Sequence, residues 1–112
     1  MMSNDERAVE YKTYAERGCI YEFKEKDGTI KNDVLVVSSN ARSMDKIISI
    51  IMVGDNPAGH DIVPVTYDNR ERFIHSELVT YTLRSRLGKK ICKIPDTSMS
   101  LVTKSMLRGL SD

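Results

Sequence analysis

Short apolar runs separated by turn residues recur along most of the chain, and they predict β-strands. Runs of this length that are rich in isoleucine and valine are typical of strands rather than of helices. Residues 47–53, with the sequence IISIIMV, form the most hydrophobic of them. Pro64 removes a backbone donor from its run, which predicts an edge strand. The predicted strands are 19–23, 33–38, 47–53, 61–66, 73–83 and 89–94.

A helix is predicted at each end of the chain. In residues 4–16, an Asn or Asp cap and acidic residues precede alanine and tyrosine positions at helical spacing, and Gly18 ends the helix. Near the other end, Pro95 ends the last strand, and Asp96 or Thr97 caps a second helix. Its apolar stripe consists of Met99, Val102, Met106 and Leu110.

The connections between the predicted strands are polar and contain no long helix. Asp27-Gly28 is a strong hairpin signal. Residues 39–46, which have room for one helical turn, 54–59 and the charged segment 68–72 have the composition of loops. Successive strands without helices between them exclude a parallel α/β sheet. We therefore predict a single, mainly β domain over residues 1–112, a strongly bent antiparallel sheet or barrel with flanking helices.

The stretch from residue 73 to residue 87 does not alternate regularly. His75 and Glu77 are two residues apart and would share one face of a strand. Ile74 and Leu78 would occupy the other face. Beyond them the apolar residues move to the odd positions, so we expect a bulge or sheet corner near residues 79–80.

Charge and cysteine usage narrow the class of protein. The net charge of +1 argues against strong non-specific binding to nucleic acid but allows a local basic groove. No apolar run approaches the roughly 20 residues of a membrane span, and the N-terminus lacks an apolar signal core. We therefore expect a cytoplasmic protein without membrane contact. Free thiols at Cys19 and Cys92 fit that compartment better than a disulfide.

No metal or cofactor is predicted from the sequence. A zinc site needs several ligands at recognisable spacing. His60 and His75 with scattered acidic residues do not provide that spacing.

Four segments in order carry a resemblance to a known family. They are Arg17-Gly18-Cys19-Ile20-Tyr21, DVLVVS at 33–38, the isoleucine strand, and the stretch from Glu77 through Arg86-Leu87. Together they resemble the MazF/PemK (Kid) family of toxin endoribonucleases over roughly residues 17–110. The resemblance implies an SH3-like barrel with a C-terminal helix, a homodimer, metal-free cleavage of single-stranded RNA, and a cognate antitoxin. Residues 1–16 would be a helical extension that typical members lack.

The resemblance also assigns positions of the site, and some depart from the family pattern. Glu77 matches the family's acid on the fifth strand, and His75 falls where PemK-type members have a catalytic arginine. Asn32 replaces the family's arginine before the second strand, with Lys31 alongside. Gly54 replaces the family's threonine or serine after the third strand, with Asp55 next to it.

An imidazole beside a carboxylate could supply the proton transfers of RNA cleavage. The reaction needs a base for the 2′-hydroxyl, an acid for the leaving 5′-oxygen and positive charge at the phosphorane. His75 could act as acid or base near neutral pH, and Glu77 could orient it or act as the base. The alternative is an ordinary surface His–Glu pair that contributes little energy.

Several other residues are candidates for contacts with RNA, each with a structural alternative. Lys31 and Asn32 could contact phosphate or a base edge, or lie at a solvated hairpin end. Tyr81 could stack on a base or be a half-buried strand residue. Arg86 could complete a basic groove or anchor a turn. The full set of candidates is Lys31, Asn32, Asp55, Tyr81, Thr82, Arg84 and Arg86.

Three functions fit these residues. The first is a toxin-like endoribonuclease that cleaves through His75 and Glu77. The second is a module of the same fold that binds RNA or a protein without cleavage. The third is a gyrase poison of the CcdB type, but that group relies on a tryptophan-containing tail and this chain has no tryptophan.

Overall fold

One antiparallel sheet and a C-terminal helix make up residues 14–111, which the computed structural model describes. The predicted helix over residues 4–16 lies outside the described residues except for 14–16, which are not helical. Short 3-10 turns span Asn40–Arg42 and Arg84–Arg86. The strands are β1 (Cys19–Lys24), β2 (Ile30–Val36), β3 (Ile47–Gly54), β4 (Ile62–Tyr67), β5 (Arg70–Leu83) and β6 (Leu87–Lys93), and the helix α1 spans Asp96–Ser111.

The strands form a curled, open sheet in the order β4-β5-β3-β2-β1-β6. Every pair of neighbours is antiparallel, as the sequence predicted. Because β4 and β6 lie at the two edges, the described residues form a half-barrel rather than a closed barrel. The edge position of β4 agrees with the prediction from Pro64. No helix in the described part of the chain is long and apolar enough to cross a membrane.

Both faces of the sheet carry a hydrophobic core. Alternate residues of a strand point to opposite faces, so β1, β2 and β3 contribute to both cores. Face A is covered by α1, whose Val102 is fully buried and whose Met99 and Met106 pack against it. The face A core also contains Ile20, Leu35, Ile51, Val53, Val63, Val65, Tyr67, Ile74 and Ile94. The face B core contains Ala15, Cys19, Tyr21, Phe23, Val34, Val36, Ile48, Ile50 and Leu87.

The connection between β4 and β5 is shorter than the sequence predicted. Asp68 and Asn69 have φ values of 53° and 58°, which are typical of the central residues of a tight hairpin turn. The predicted loop over 68–72 is therefore wrong for its last three residues. These residues belong to β5, where Arg72 pairs with Val65.

Strand β5 is long, and its register breaks in the middle. Its first part pairs with β4 as far as His75, and its second part pairs with β3. Ile51 pairs with Val79, whereas Val53 pairs with Ile74. A step of two residues on β3 therefore corresponds to five on β5, and the extra residues directly precede Val79. The predicted break in β5 is therefore present, but it lies at residues 75–78, just before the expected position at 79–80, and it contains His75 and Glu77.

Candidate functional site

His75 and Glu77 lie side by side at the register break of β5. His75 Nδ1 is 3.8 Å from Glu77 Oε1, and 14% and 31% of the two side chains are exposed. This distance exceeds that of a hydrogen bond, but catalytic hydrogen bonds are often long in the absence of substrate. The sequence prediction that the two groups share a face is therefore confirmed.

Two glycines, Gly54 and Gly59, lie directly against the side chains of His75 and Glu77. A Cβ on Gly54 would lie 3.7 Å from His75 Nε2, so the imidazole covers the backbone at the end of β3. A Cβ on Gly59 would lie only 2.9 Å from Glu77 Oε1 and from a side-chain carbon of Ile62. Gly59 also has a φ of +149°, which L residues rarely adopt. The loop before β4 can therefore approach the Glu77 carboxylate closely because residue 59 has no side chain.

A network of charged side chains supports the same end of β3 from face A. Asp33 accepts hydrogen bonds from Tyr67 Oη at 2.7 Å and from Arg72 Nη1 at 3.2 Å. Arg72 Nε lies 2.8 Å from Asp55 Oδ1, and its Nη2 donates to the Val53 carbonyl at 3.3 Å. Burial and the hydrogen bond to Asp33 raise the pKa of Tyr67. Arg70 Nη2 also lies 3.2 Å from Asp55 Oδ1. Asp55 is therefore paired with two arginines, which favours a structural role over contact with RNA.

Asn32 belongs to a second network, on face B. Its Nδ2 donates to Glu25 Oε1 at 3.2 Å, and Glu25 Oε2 lies 3.7 Å from Arg86 Nη2. Arg86 also donates from Nε to the Lys24 carbonyl and stacks over the Phe23 ring at 4.4 Å. These contacts fit the structural alternative for Arg86, in which it anchors the turn before β6. Lys31 is exposed next to Asn32.

The remaining candidates lie at the other end of β3. Tyr81 and Thr82 pair with Ser49 and Ile48, and Arg84 Nε donates to the Asp45 carbonyl. At about 3.3 Å per residue, this end is about 23 Å from Gly54. The sequence-predicted residues are thus divided between two places, and Tyr81 is 77% exposed rather than half-buried.

Both cysteines are free thiols, as the sequence predicted. Burial, followed by the hydrogen bond that Cys19 Sγ donates to Glu16 at 3.0 Å, raises the pKa of Cys19 to about 12. Burial also raises the pKa of Cys92. Because the thiolate is the reactive form, neither residue has the chemistry of a nucleophile.

The sequence reasoning missed Arg72 as a member of the site. The charged composition of residues 68–72 predicts a loop, whereas the turn at Asp68-Asn69 places Arg72 in β5. Alternation from the buried Ile74 would then have put Arg72 on face A, beside Asp33 and opposite His75.

Comparisons with known proteins identify the fold. No protein-family model and no curated protein matches the sequence, but solved structures do. A MazE-MazF complex from Deinococcus radiodurans matches with a TM-score of 0.75 and 13% identity, over 88% of this chain and 98% of that chain. The chain has the fold of the MazF toxins.

Two further structures support the same conclusion. An endoribonuclease from a mycobacterial species, solved with its cognate antitoxin, has a TM-score of 0.73 and 14% identity, over 86% of this chain and 94% of that chain. The Mycobacterium tuberculosis toxin MazF-mt6 has a TM-score of 0.71 and 12% identity, over 83% and 96%. The MazF resemblance seen in the sequence is thereby confirmed at the level of the fold.

Proposed function

We propose that the protein is a cytoplasmic endoribonuclease toxin, a homodimer that cleaves single-stranded RNA without a metal ion and is held inactive by a cognate antitoxin. The observation that carries the proposal is the His75–Glu77 pair over Gly54, in a chain with the MazF fold. The mycobacterial neighbour bound to its antitoxin supports an antitoxin partner here.

The two side chains divide the proton transfers between them. Glu77, as a carboxylate, takes the proton from the 2′-hydroxyl, whose oxygen attacks the phosphorus. His75, as an imidazolium, gives its proton to the 5′-oxygen as the bond between that oxygen and phosphorus breaks. The same imidazolium places positive charge beside the phosphorane. The products are a 2′,3′-cyclic phosphate and a 5′-hydroxyl.

Cleavage of a labelled single-stranded RNA in the presence of EDTA tests this proposal. The wild-type protein should cut the RNA and leave cyclic phosphate ends. His75→Ala should slow cleavage by about 10²–10⁴-fold, the usual contribution of a positioned acid or base, with an unchanged circular dichroism spectrum. His60→Ala is the matched control, because His60 is exposed in the loop before β4, and it should cut at the wild-type rate.

Two results would overturn the proposal. Loss of cleavage in EDTA, restored by a divalent cation, would refute the metal-free reaction. Cleavage by the His75→Ala variant at the wild-type rate would show that His75 takes no part in the reaction.

A second candidate function is a module of the same fold that binds RNA or a protein without cleavage. It is favoured by Asn32 and Gly54, which stand where the family has an arginine and a hydroxyl residue. The Asn32 amide is also already bonded to Glu25. If the wild-type protein retards RNA on a gel but leaves every strand intact at high protein concentration, this function replaces the first.

A further inference from the structure

Asp61, the last residue of the loop before β4, is held from two sides. Its backbone carbonyl accepts a hydrogen bond from the Ser76 amide at 3.0 Å. Its carboxylate Oδ1 lies 2.9 Å from Nη2 of Arg108, which is in the last turn of α1. Ser76 is the residue between His75 and Glu77. One residue of the loop therefore connects the candidate site to the C-terminal helix.

Neighbouring groups orient both members of this ion pair. Arg108 Nη2 also donates to Ser105 Oγ at 3.1 Å, and Ser105 is buried on α1. The backbone of Asp61 is fixed by the hydrogen bond from Ser76 and by the start of β4 at the next residue. An ion pair loses part of its attraction to the entropy of holding two long side chains in one geometry. Groups that are already oriented lose less of it.

The same loop forms one wall of the site. The backbone at Gly59 lies between the Glu77 carboxylate and the Ile62 side chain, and an added Cβ would be 2.9 Å from each. Ile62 in turn pairs with His75. A displacement of the loop would remove the contact that limits the orientations of the Glu77 side chain. Orientation at this scale matters for catalysis, because a misplacement of about 1 Å can slow a reaction about 10²-fold.

We propose that Arg108 is a positioning residue for RNA cleavage. Its ion pair with Asp61 keeps the loop at residues 55–61 packed against Glu77. The carboxylate then stays beside His75 in the orientation that takes the proton from the 2′-hydroxyl. The inference rests on the proposed endoribonuclease function and adds to it a residue of α1 that acts through the loop.

A similar ion pair elsewhere in the chain provides the matched control. Lys90 Nζ lies 3.2 Å from Glu16 Oε1, and 48% and 24% of the two side chains are exposed. The corresponding values for Arg108 and Asp61 are 65% and 25%. Lys90 lies on β6, at the opposite edge of the sheet from β4. Lys90→Gln and Arg108→Gln therefore remove the same charge from pairs of similar exposure, and only the second pair holds the loop.

Steady-state cleavage of a labelled single-stranded RNA tests the proposal. Arg108→Gln should lower kcat about two- to fivefold, the effect of a partly exposed ion pair on an equilibrium, whereas Lys90→Gln should keep the wild-type kcat. KM should change equally in the two variants, because each loses one positive charge. Arg108→Lys should recover part of the lost kcat. Asp61→Asn should add nothing to the effect of Arg108→Gln, because both changes break the same pair.

Hydrogen exchange of the Ser76 amide gives a readout that does not depend on cleavage. Its bond to Asp61 should open more often in Arg108→Gln, with exchange about two- to fivefold faster than in the wild type and in Lys90→Gln. Unchanged exchange, or faster exchange with an unchanged kcat, would overturn the positioning role and leave the proposed nuclease intact. A wild-type protein that cuts no RNA would overturn the nuclease and, with it, the role of Arg108 in cleavage.

Discussion

Arg72 holds together the end of β3 on which the candidate site is built. Its guanidinium contacts Asp33, Asp55 and the Val53 carbonyl, and 11% of its side chain is exposed. A charge this well covered costs free energy to desolvate, and only well-placed partners offset that cost. Removing the arginine would leave Asp33 without this positive charge, although Asp33 would still accept the hydrogen bond from the Tyr67 hydroxyl.

Arg72→Ala should therefore lower the free energy of unfolding by about 3 kcal/mol, the lower end of the cost of breaking a buried ion pair. Arg70→Ala is the matched control, because Arg70 and Asp55 pair in an exposed position, 58% and 69% exposed. It should cost less than about 1 kcal/mol. Urea denaturation of both variants measures the difference, and equal losses would contradict the structural role of Arg72.

At the level of residues, the sequence was informative where spacing alone determines proximity. His75 and Glu77 were expected to be neighbours because strand residues two apart share a face, and they are neighbours. The partners of Asp33 could not be predicted in the same way. They come from β4 and β5, and their approach depends on how the sheet curls.

The tight turn between β4 and β5 sets the register that places His75. Both central residues have positive φ, a conformation that Asn and Asp tolerate and that β-branched residues strongly disfavour. The two-residue connection fixes Tyr67 opposite Arg70, and hence Ile62 opposite His75.

Asn69→Val should consequently destabilise the protein by about 1–2 kcal/mol, the cost of a left-handed conformation for such a residue. Asn69→Gly is the control and should be close to neutral, because glycine adopts this conformation readily while gaining freedom in the unfolded chain. Thermal unfolding monitored by circular dichroism compares the two. A Val variant as stable as the Gly variant would show that the turn relaxes to another conformation.

At the level of elements, existence and order were predictable, whereas the ends of strands were less so. The apolar runs that became β1, β3 and β4 match their predicted bounds to within one residue. The prediction started β2 at residue 33, because Lys31 and Asn32 are polar and show no apolar pattern. In the structure β2 begins at Ile30, and these residues extend the hairpin with β1. A half-buried position was one of two alternatives for Tyr81, and its 77% exposure could not be predicted, because an alternating pattern does not show whether a neighbouring strand is present.

Strands β1, β2 and β3 connect the two cores into one folding unit. Leu35 lies in the face A core, while Val34 and Val36 on the same strand lie in the face B core. Loss of packing on one face should therefore destabilise β1, β2 and β3, which also carry the core residues of the other face. For a domain of this size, such sharing favours all-or-none unfolding.

Val102→Ala removes two methyl groups from the face A core, and Val36→Ala removes two from the face B core; both residues are fully buried. Each change should lower the free energy of unfolding by about 2 kcal/mol, from lost transfer free energy and the cavity left behind.

Because Tyr67 belongs to face A and Tyr21 to face B, tyrosine fluorescence and far-ultraviolet circular dichroism together sample both sides. We expect one coincident urea transition for each variant, measured at a single protein concentration, with the midpoint shifted downward and the slope unchanged. Separate transitions in Val102→Ala, with the helix lost first, would show instead that α1 and face A unfold independently of the face B core.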